Sequence, residues 1–481
     1  MTEPRERVIV PRAPRPPELL AATLALVRDD LKLPESFPAE VEREAALAVE
    51  NYELPEVGRL DVPFVTIDPE GATDLDQAVH LERTDDGYTV HYAIADVPAF
   101  VKPGGAVDAE ARERGQTLYA PDGRIPLHPP IISEGAASLL PDVERGAYVW
   151  TFALDASANV ASTALVRARI RSRRQYSYTE VQKVIDSGGA DESLNLLREI
   201  GEKRIELERE RGGASLNRPD EEIEFHDGRY ELVRRSPLPV EAWNAQISLL
   251  TGMAAAAIML EGRVGILRTM PEPYVDTLEH FRAQVAALGC PWPRHIPYGE
   301  YLRSLPRDEP RGLAAIHAAA SLFRGAGYTA FDGELPEKTI QAAVAAPYAH
   351  TTAPLRRLID RFVLVTCEAL INGEPVPSWV KEALPTLPGL MSKSDGVASR
   401  LEHASVDAIE AALLSGRVGE AFDAVVISSK PATDKRPSGG VIQLTDPVVT
   451  ANVEGDVVAG ERVRVTLETA DIATGTTLFR T

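Results

Sequence analysis

Cysteine is nearly absent from this chain of 481 residues, with Cys290 and Cys367 its only two. Two thiols give neither a disulfide framework nor a cysteine-based zinc cluster, so both are expected to be buried side chains. Positive charge is also scarce. With 51 Lys and Arg against 72 Asp and Glu, the net charge of −21 argues against a protein that grips nucleic acid with its whole surface, although a local basic channel stays open. Long apolar runs are missing as well: the best, 247–260, reads as a helix too short to cross a bilayer. The charged, proline-rich start MTEPRERVIVPRAPRPPE has no apolar core of signal-peptide type. We therefore expect no membrane association and a cytoplasmic location. A nucleotide P-loop, a G-x-S-x-G elbow and H-E-x-x-H are all lacking, which removes the sequence grounds for kinase, serine-hydrolase and zinc-protease chemistry.

What remains is an ordinary folded composition, 44% hydrophobic, long enough for about three domains. Helical periodicity over 17–32 and 38–52, separated by Pro34 and Pro38, predicts a small α-helical N-terminal module spanning 1–60. From 61 the pattern changes to strands. DQAVHLER and YTVHYAIADV flank Thr84-Asp85-Asp86-Gly87, a hairpin signal with glycine where a positive φ is expected. YVWTFALDA follows, then VRARIRSRR, whose Arg167, Arg169, Arg171 and Arg173 would line one strand face. Helical patterns dominate from 178 to 415, making 61–415 an α+β domain. In 416–481 five short strand-like runs between Lys, Asp, Gly and Pro turns suit a five-stranded OB-type β-barrel, a fold that often binds single strands. Its few basic and aromatic residues fit an acidic docking domain equally.

The densest chemical signal is VTIDPEGATDLDQAV. Phe64 to Ile67 reads as a buried strand, and Asp68 stands at its end. Pro69, Glu70 and Gly71 turn the chain. Side chains alternate in an extended segment, so Asp74 and Asp76 share a face while Leu75 points away. Carboxylates converging in this way repel one another unless a hard cation such as Mg²⁺ or Mn²⁺ lies between them. The same residues also make a solvated surface turn, and spacing alone does not separate the two.

A second signal is YAHTTAPLRRLIDRF. Thr351 or Thr352 is expected to cap a helix with Pro354 in its first turn, presenting Arg356, Arg357 and Arg361 at the positive end of the helix, a phosphate site. Arginines in a first turn are also commonly solvated or paired with acids such as Asp360. Carboxylates for a metal, a phosphate grip, an arginine-lined strand and a barrel together fit hydrolysis of a nucleic acid.

An ordered series of motifs extends this reading: VTIDPEGATDLDQAV, HYAIADV, TLYAPDGRIPLHPPIISEGAASLLPD, VEAWN, ILRTMPEP and YAHTTAPLRR. Over about 61–370 the chain resembles the ribonuclease II family (RNB-type). That resemblance implies a Mg²⁺-dependent hydrolytic exoribonuclease, with Mn²⁺ as a substitute, that degrades single-stranded RNA from the 3′ end to nucleoside 5′-monophosphates. It implies metal-binding roles for Asp68, Asp74 and Asp76, with Asp76 most directly catalytic. It further implies that Tyr119 stacks on a terminal base, that Glu241 contacts the terminal nucleotide, and that Arg356 grips the scissile phosphate, with Arg357 beside it. A monomer is expected.

The chain also departs from the family pattern. Gln77 replaces a usual aspartate, offering an amide oxygen but no charge, so one metal is expected to be held weakly. Ala353 replaces a serine, and aliphatic Leu216 stands near an expected aromatic clamp. No room precedes the catalytic domain for the usual two cold-shock barrels. A helix-turn-helix type clamp or a protein-binding module are the alternatives for 1–60. Alternatives to an exonuclease are endonucleolytic cleavage and a catalytically impaired RNA-binding regulator.

Overall fold

Alternating large and small apolar residues build a sheet that is buried on both faces. The computed structural model describes residues 17–214, 216, 220–226, 229–235, 237–307, 309–433, 437–447 and 449–481. The proline-rich arm expected at the N-terminus lies mostly outside them. In chain order the strands of the first half are β1 (Val65–Asp68), β2 (Gln77–Arg83), β3 (Gly87–Ala95), β4 (Leu118–Ala120), β5 (Gly123–Ile125), β6 (Glu144–Asp155), β7 (Val160–Arg171) and β8 (Arg174–Ser177). Six of them form one sheet in the order β7-β6-β3-β2-β1-β8, while β4 and β5 form a separate hairpin. Neighbours in the sheet are antiparallel except β1 and β8.

The helices that shape this domain are α1 (Pro17–Asp30), α2 (Ala39–Glu50), α3 (Ala106–Arg114), α4 (Tyr178–Asp186), α5 (Glu192–Glu210) and α6 (Pro239–Gly262). Large side chains, among them Tyr92, Ile94, Trp150 and Phe152, form one face of the sheet and pack on α5, α6 and the 358–371 helix. The opposite face is made of small ones, Ala93, Ala95, Ala147, Val149 and Ala168, which let α2 and α3 approach closely. Local signals set the helix starts. Ser177 accepts from the Glu180 amide while Glu180 accepts from the Ser177 amide, a capping box for α4. Asp191 caps α5 through the Leu194 amide.

The C-terminal segment is a closed five-stranded barrel, Ala421–Lys430, Gly439–Leu444, Thr450–Glu454, Arg462–Asp471 and Thr476–Arg480, matching the five apolar runs of the sequence. The barrel region holds two aromatic residues, Phe422 and Phe479, and they stack edge-on in its interior. Base stacking on this barrel therefore has no aromatic surface to use.

Several expectations need correction. The two N-terminal helices exist, but they do not share a core. α1 packs Leu20 and Leu24 against Ala408, Ile409 and Leu413 of the 387–414 helix, and α2 buries Val41 and Ala45 against the six-stranded sheet. Glu44 accepts from the Ala106 and Val107 amides at the start of α3, and Arg114 stacks on Phe37 at 3.8 Å. Amphipathic periodicity reports a buried stripe without naming what covers it.

The apolar run read as 247–260 is part of α6, 24 residues long and of a length and composition that could cross a membrane. Here it packs against α5 and the 358–371 helix in the core. Gly87 is required by close approach more than by its φ, since a Cβ there would stand 2.1 Å from the Leu154 carbonyl oxygen. Short strand pairs, Asp220–His226 with Arg229–Arg235 and Val264–Thr269 with Gly327–Asp332, interrupt the stretch read as helical. Leu216 packs against the cluster around Phe281, Trp292 and Tyr301.

Candidate active site

Strand register brings the first two acids together. β1 and β2 are antiparallel with Val65 opposite Val79; continuing that register three residues past Val65 and three residues before Val79 puts Asp68, which ends β1, on the level of Asp76, just before β2. Asp76 is 2% exposed. Its Oδ1 accepts the Leu355 amide at 2.7 Å, and Arg356 Nε lies 3.3 Å from its Oδ2. The neighbouring Gln77 donates its amide N–H to the Thr352 carbonyl at 2.5 Å. The start of β2 is thus tied at two points to a loop far along the chain.

That loop is a turn, and the expected helix start is wrong by several residues. The Arg356 and Arg357 amides both donate to the Ala353 carbonyl, and the helix begins at Leu358 with Arg357 as its N-cap. Thr351 and Thr352 are buried and cap nothing; Thr352 instead shares a hydrogen bond with Ser248. Asp360 holds the turn, accepting from the Ala353 amide and from both Nε and Nη2 of Arg357. Arg357 is thereby committed to Asp360. Arg361 is buried in an ion pair with Asp108 and packs over Phe362 and Trp379. Of the three arginines, Arg356 alone reaches the acid cluster.

The β4–β5 hairpin closes the site from another side. The Thr117 amide donates to the Arg356 carbonyl and the Leu358 amide to Gly115, so the strand leading into β4 runs beside the arginine turn. Tyr119 emerges from it 55% exposed and adjacent to Arg356, available for stacking. Opposite Tyr119 across the hairpin stands Arg124. Its guanidinium donates to Asp74 at 2.5 Å and to Thr73 at 2.7 Å, and it lies 2.8 Å from Glu134. The hairpin tip is pinned too, because Asp122 pairs with Arg28 of α1.

Burial dominates the electrostatics. It pushes the Asp68 carboxyl up to about 7, Arg356 opposing and Asp74 adding to the rise. Asp76 rises to about 8, with Arg356 and the Leu355 amide working against the same burial. Such values mark two acids whose negative charge is under-compensated by their surroundings. Asp68 Oδ2 and the Tyr92 hydroxyl are both buried without a hydrogen-bond partner, and Tyr92 is within electrostatic reach of Asp68, Asp76 and Arg356. These orphaned oxygens fit a hydrated divalent cation. Asp74 lies within electrostatic reach of both, but its carboxylate is taken by Arg124, and among the described residues no three His, Cys, Asp or Glu side chains are grouped to hold a metal. The donor set that fits is therefore Asp68 and Asp76.

Glu241 accepts the Leu238 amide at 2.9 Å, a helix-capping contact at the start of α6. It lies beside Tyr178, which takes a hydrogen bond of 3.4 Å from Asn244 and is itself close to Asp68. Tyr92, Arg124, Tyr178 and Asn244 are the site residues that the sequence reading passed over. Strand parity could have placed Tyr92 on the large-residue face with Tyr88 and Val90; Arg124 gave no local signal. The arginines of the 167–173 stretch are engaged within the fold instead. Arg167 pairs with Asp96, Arg169 and Arg171 pair with Glu144, and Arg173 donates to the Leu60 carbonyl.

Tyr119 opens onto a cleft of about 1650 Å³ bounded by the hairpin, the 275–287 and 387–414 helices and the barrel. Its wall carries a second tyrosine, Tyr274, 76% exposed. Acids in that wall, Glu272, Asp276, Glu402 and Asp407 among them, outnumber its one arginine, Arg324.

The RNB domain family model matches residues 59–373, and the model of the RNase II-type exonuclease C-terminal S1 domain matches 420–481. Ribonuclease R of Escherichia coli (strain K12) is 29% identical over 357 residues, covering 68% of this chain and 42% of that protein. The chain thus spans less than half the length of this curated relative. The apo form of Mycoplasma genitalium RNase R superposes with a TM-score of 0.84 at 17% identity, over 96% of this chain and 78% of that one. Yeast Ssd1, a pseudonuclease, does so with a TM-score of 0.67 at 16% identity, over 95% and 57%. Likeness at such identities shows a shared fold.

Proposed function

The chain belongs to the RNB domain family, and from that premise we propose that it is a metal-dependent 3′→5′ exoribonuclease hydrolysing single-stranded RNA to nucleoside 5′-monophosphates. The observation that carries this reading is the contact of Arg356 with Asp76 beside Tyr119. It joins a phosphate-binding cation, a buried acid and an aromatic face at one point. A divalent cation, Mg²⁺ or Mn²⁺, held by Asp68 and Asp76 would activate the attacking water and stabilise the leaving 3′-oxygen.

The protein's own groups do the rest. Tyr119 stacks on a base near the 3′ end without reading its identity, which suits sequence-independent degradation. Arg356 neutralises the non-bridging oxygens of the scissile phosphate as charge grows on them. The Leu355 amide and Arg356 hold Asp76 in place, so that its orientation is fixed before substrate arrives. Tyr178, within electrostatic reach of both Asp68 and Glu241, joins Glu241 in contacting the terminal nucleotide. In this account the protein acts as a cytoplasmic monomer, in keeping with the two unpaired thiols, Cys290 and Cys367.

Product analysis tests the reading. Release of nucleoside 5′-monophosphates, identified by mass, supports it; internal fragments indicate endonucleolytic cleavage. A second reading, a catalytically impaired RNA-binding regulator, draws on Gln77 being tied to Thr352 and Asp74 to Arg124. Tight RNA binding with no product at any Mg²⁺ or Mn²⁺ concentration would support that one.

A further inference from the structure

Counting charge around the acid cluster leads beyond the metal-dependent reading on which this inference rests. Asp68 keeps one carboxylate oxygen buried without a partner, while Asp76 is held by the Leu355 amide and by Arg356, 3.3 Å away. Asp74 is occupied by Arg124 at 2.5 Å, and position 77 carries a neutral amide whose N–H group binds the Thr352 carbonyl. Glu134 shares Arg124 with Asp74, so four carboxylates (Asp68, Asp74, Asp76 and Glu134) face two guanidiniums, Arg124 and Arg356. One divalent cation balances the cluster, and a second would leave it with two excess positive charges. Mg²⁺ is commonly held in this manner, by one or two carboxylates with water and substrate phosphate completing its shell.

The Arg124 contact is a built one. Its fork spans Asp74, Thr73 and Glu134, and the Thr73 hydroxyl donates to the other oxygen of Glu134 at 3.0 Å, closing a ring of polar contacts. Ser138 holds the backbone on both sides of Asp74, accepting from the Leu75 amide and donating to the Thr73 carbonyl. Nη1 of the planar guanidinium meets Asp74 while Nη2 meets Thr73 and Glu134, so Arg124 is itself held in place and approaches the Asp74 carboxylate from a fixed direction. Arg124 reaches it from the hairpin that carries Tyr119, with the hairpin tip pinned by Arg28.

We propose that Arg124 takes the place of a second metal ion, holding Asp74 in a permanent ion pair so that Asp68 and Asp76 form a site for a single divalent cation. Arg124 is then a positioning residue, and metal stoichiometry is the property it sets.

Mn²⁺ titration of the RNA-free full chain, followed by the loss of free-Mn²⁺ paramagnetic resonance, reads this directly. The wild type is expected to bind one Mn²⁺ per chain. The double variant Arg124→Gln, Gln77→Asp is expected to bind two, and Arg124→Lys, which keeps the charge, to bind one. Thermal melting in EDTA establishes that each variant is folded; should the double variant fail to fold, the wild-type and Arg124→Lys stoichiometries still decide. Two ions of similar affinity in the wild type, or one in a folded double variant, would overturn the proposal while leaving the exoribonuclease reading intact. No bound Mn²⁺ in the wild type would remove the metal-dependent reading and this proposal with it.

Discussion

Arg356 and Asp76 meet at 3.3 Å although they come from opposite ends of the catalytic domain. The contact is made by a turn, not by a helix start, and the amide of the preceding Leu355 completes the grip on the same carboxylate. An acid fixed in this way is oriented before a cation or a substrate arrives.

Replacing Arg356 by alanine is expected to lower kcat/KM about 10²- to 10³-fold, the usual loss when one transition-state donor is removed. Arg361→Ala should instead destabilise the fold by about 3 kcal/mol, since it leaves a buried carboxylate short of its partner, with little change in RNA affinity. Denaturant titration beside steady-state kinetics separates the two. An Arg361 variant that melts normally but cleaves poorly would place that residue in the site after all.

Tyr119→Ala is expected to weaken binding of short single-stranded RNA by about 1–3 kcal/mol, equally for all four bases. Tyr119→Phe keeps the ring and should bind nearly as the wild type does. Fluorescence anisotropy with homopolymers of each base checks both; a loss confined to one base would mean that the hydroxyl reads sequence.

The pH dependence of stability follows from Asp68 and Asp76, whose folded values near 7 and 8 lie above their ordinary 3.8. A carboxyl raised in this way favours the folded state while protonated. Its contribution is complete below the unfolded value near 3.8 and disappears as pH climbs through 7 to 8. In EDTA the melting temperature of the wild type relative to Asp76→Asn should therefore fall between pH 5.5 and 8.5, by about 3 °C or more. Mg²⁺ should reverse most of the fall at the alkaline end. A difference between the two proteins that does not vary with pH would contradict the buried, metal-free acids described above.

The Arg28–Asp122 pair predicts that the N-terminal segment acts on the site through the hairpin tip. Arg28→Ala is expected to raise KM several-fold for short RNAs and to leave kcat nearly unchanged, because it loosens the mount of Tyr119 and does not touch the acids. A fall in kcat at constant KM would show that the hairpin contributes to the chemical step.

Much of this was legible in the sequence because its signals are local. Alternation in YTVHYAIADV and the crowded acids of VTIDPEGATDLDQAV located the central strands and the ends of β1 and β2, and five punctuated apolar runs gave the barrel. The rest depended on partners distant in sequence. Nothing beside Arg361 announces Asp108, and nothing beside Arg124 announces Asp74. The cap expected from Thr351 or Thr352 failed because buried contacts with Ser248 and Gln77 took the Thr352 polar atoms first. For α1 and α2 the apolar stripes were correct, but an amphipathic pattern is equally satisfied by a sister helix or by a catalytic sheet.

A time course on 5′-labelled single-stranded RNA with Mg²⁺, run beside an EDTA control and the Asp76→Asn protein, decides whether the chain is a metal-dependent 3′→5′ exoribonuclease. A ladder shortening from the 3′ end is expected in the wild type alone, with Asp76→Asn slowed about 10⁴-fold or more yet still binding RNA. Intact RNA in every lane, or equal cleavage by Asp76→Asn, would contradict that reading.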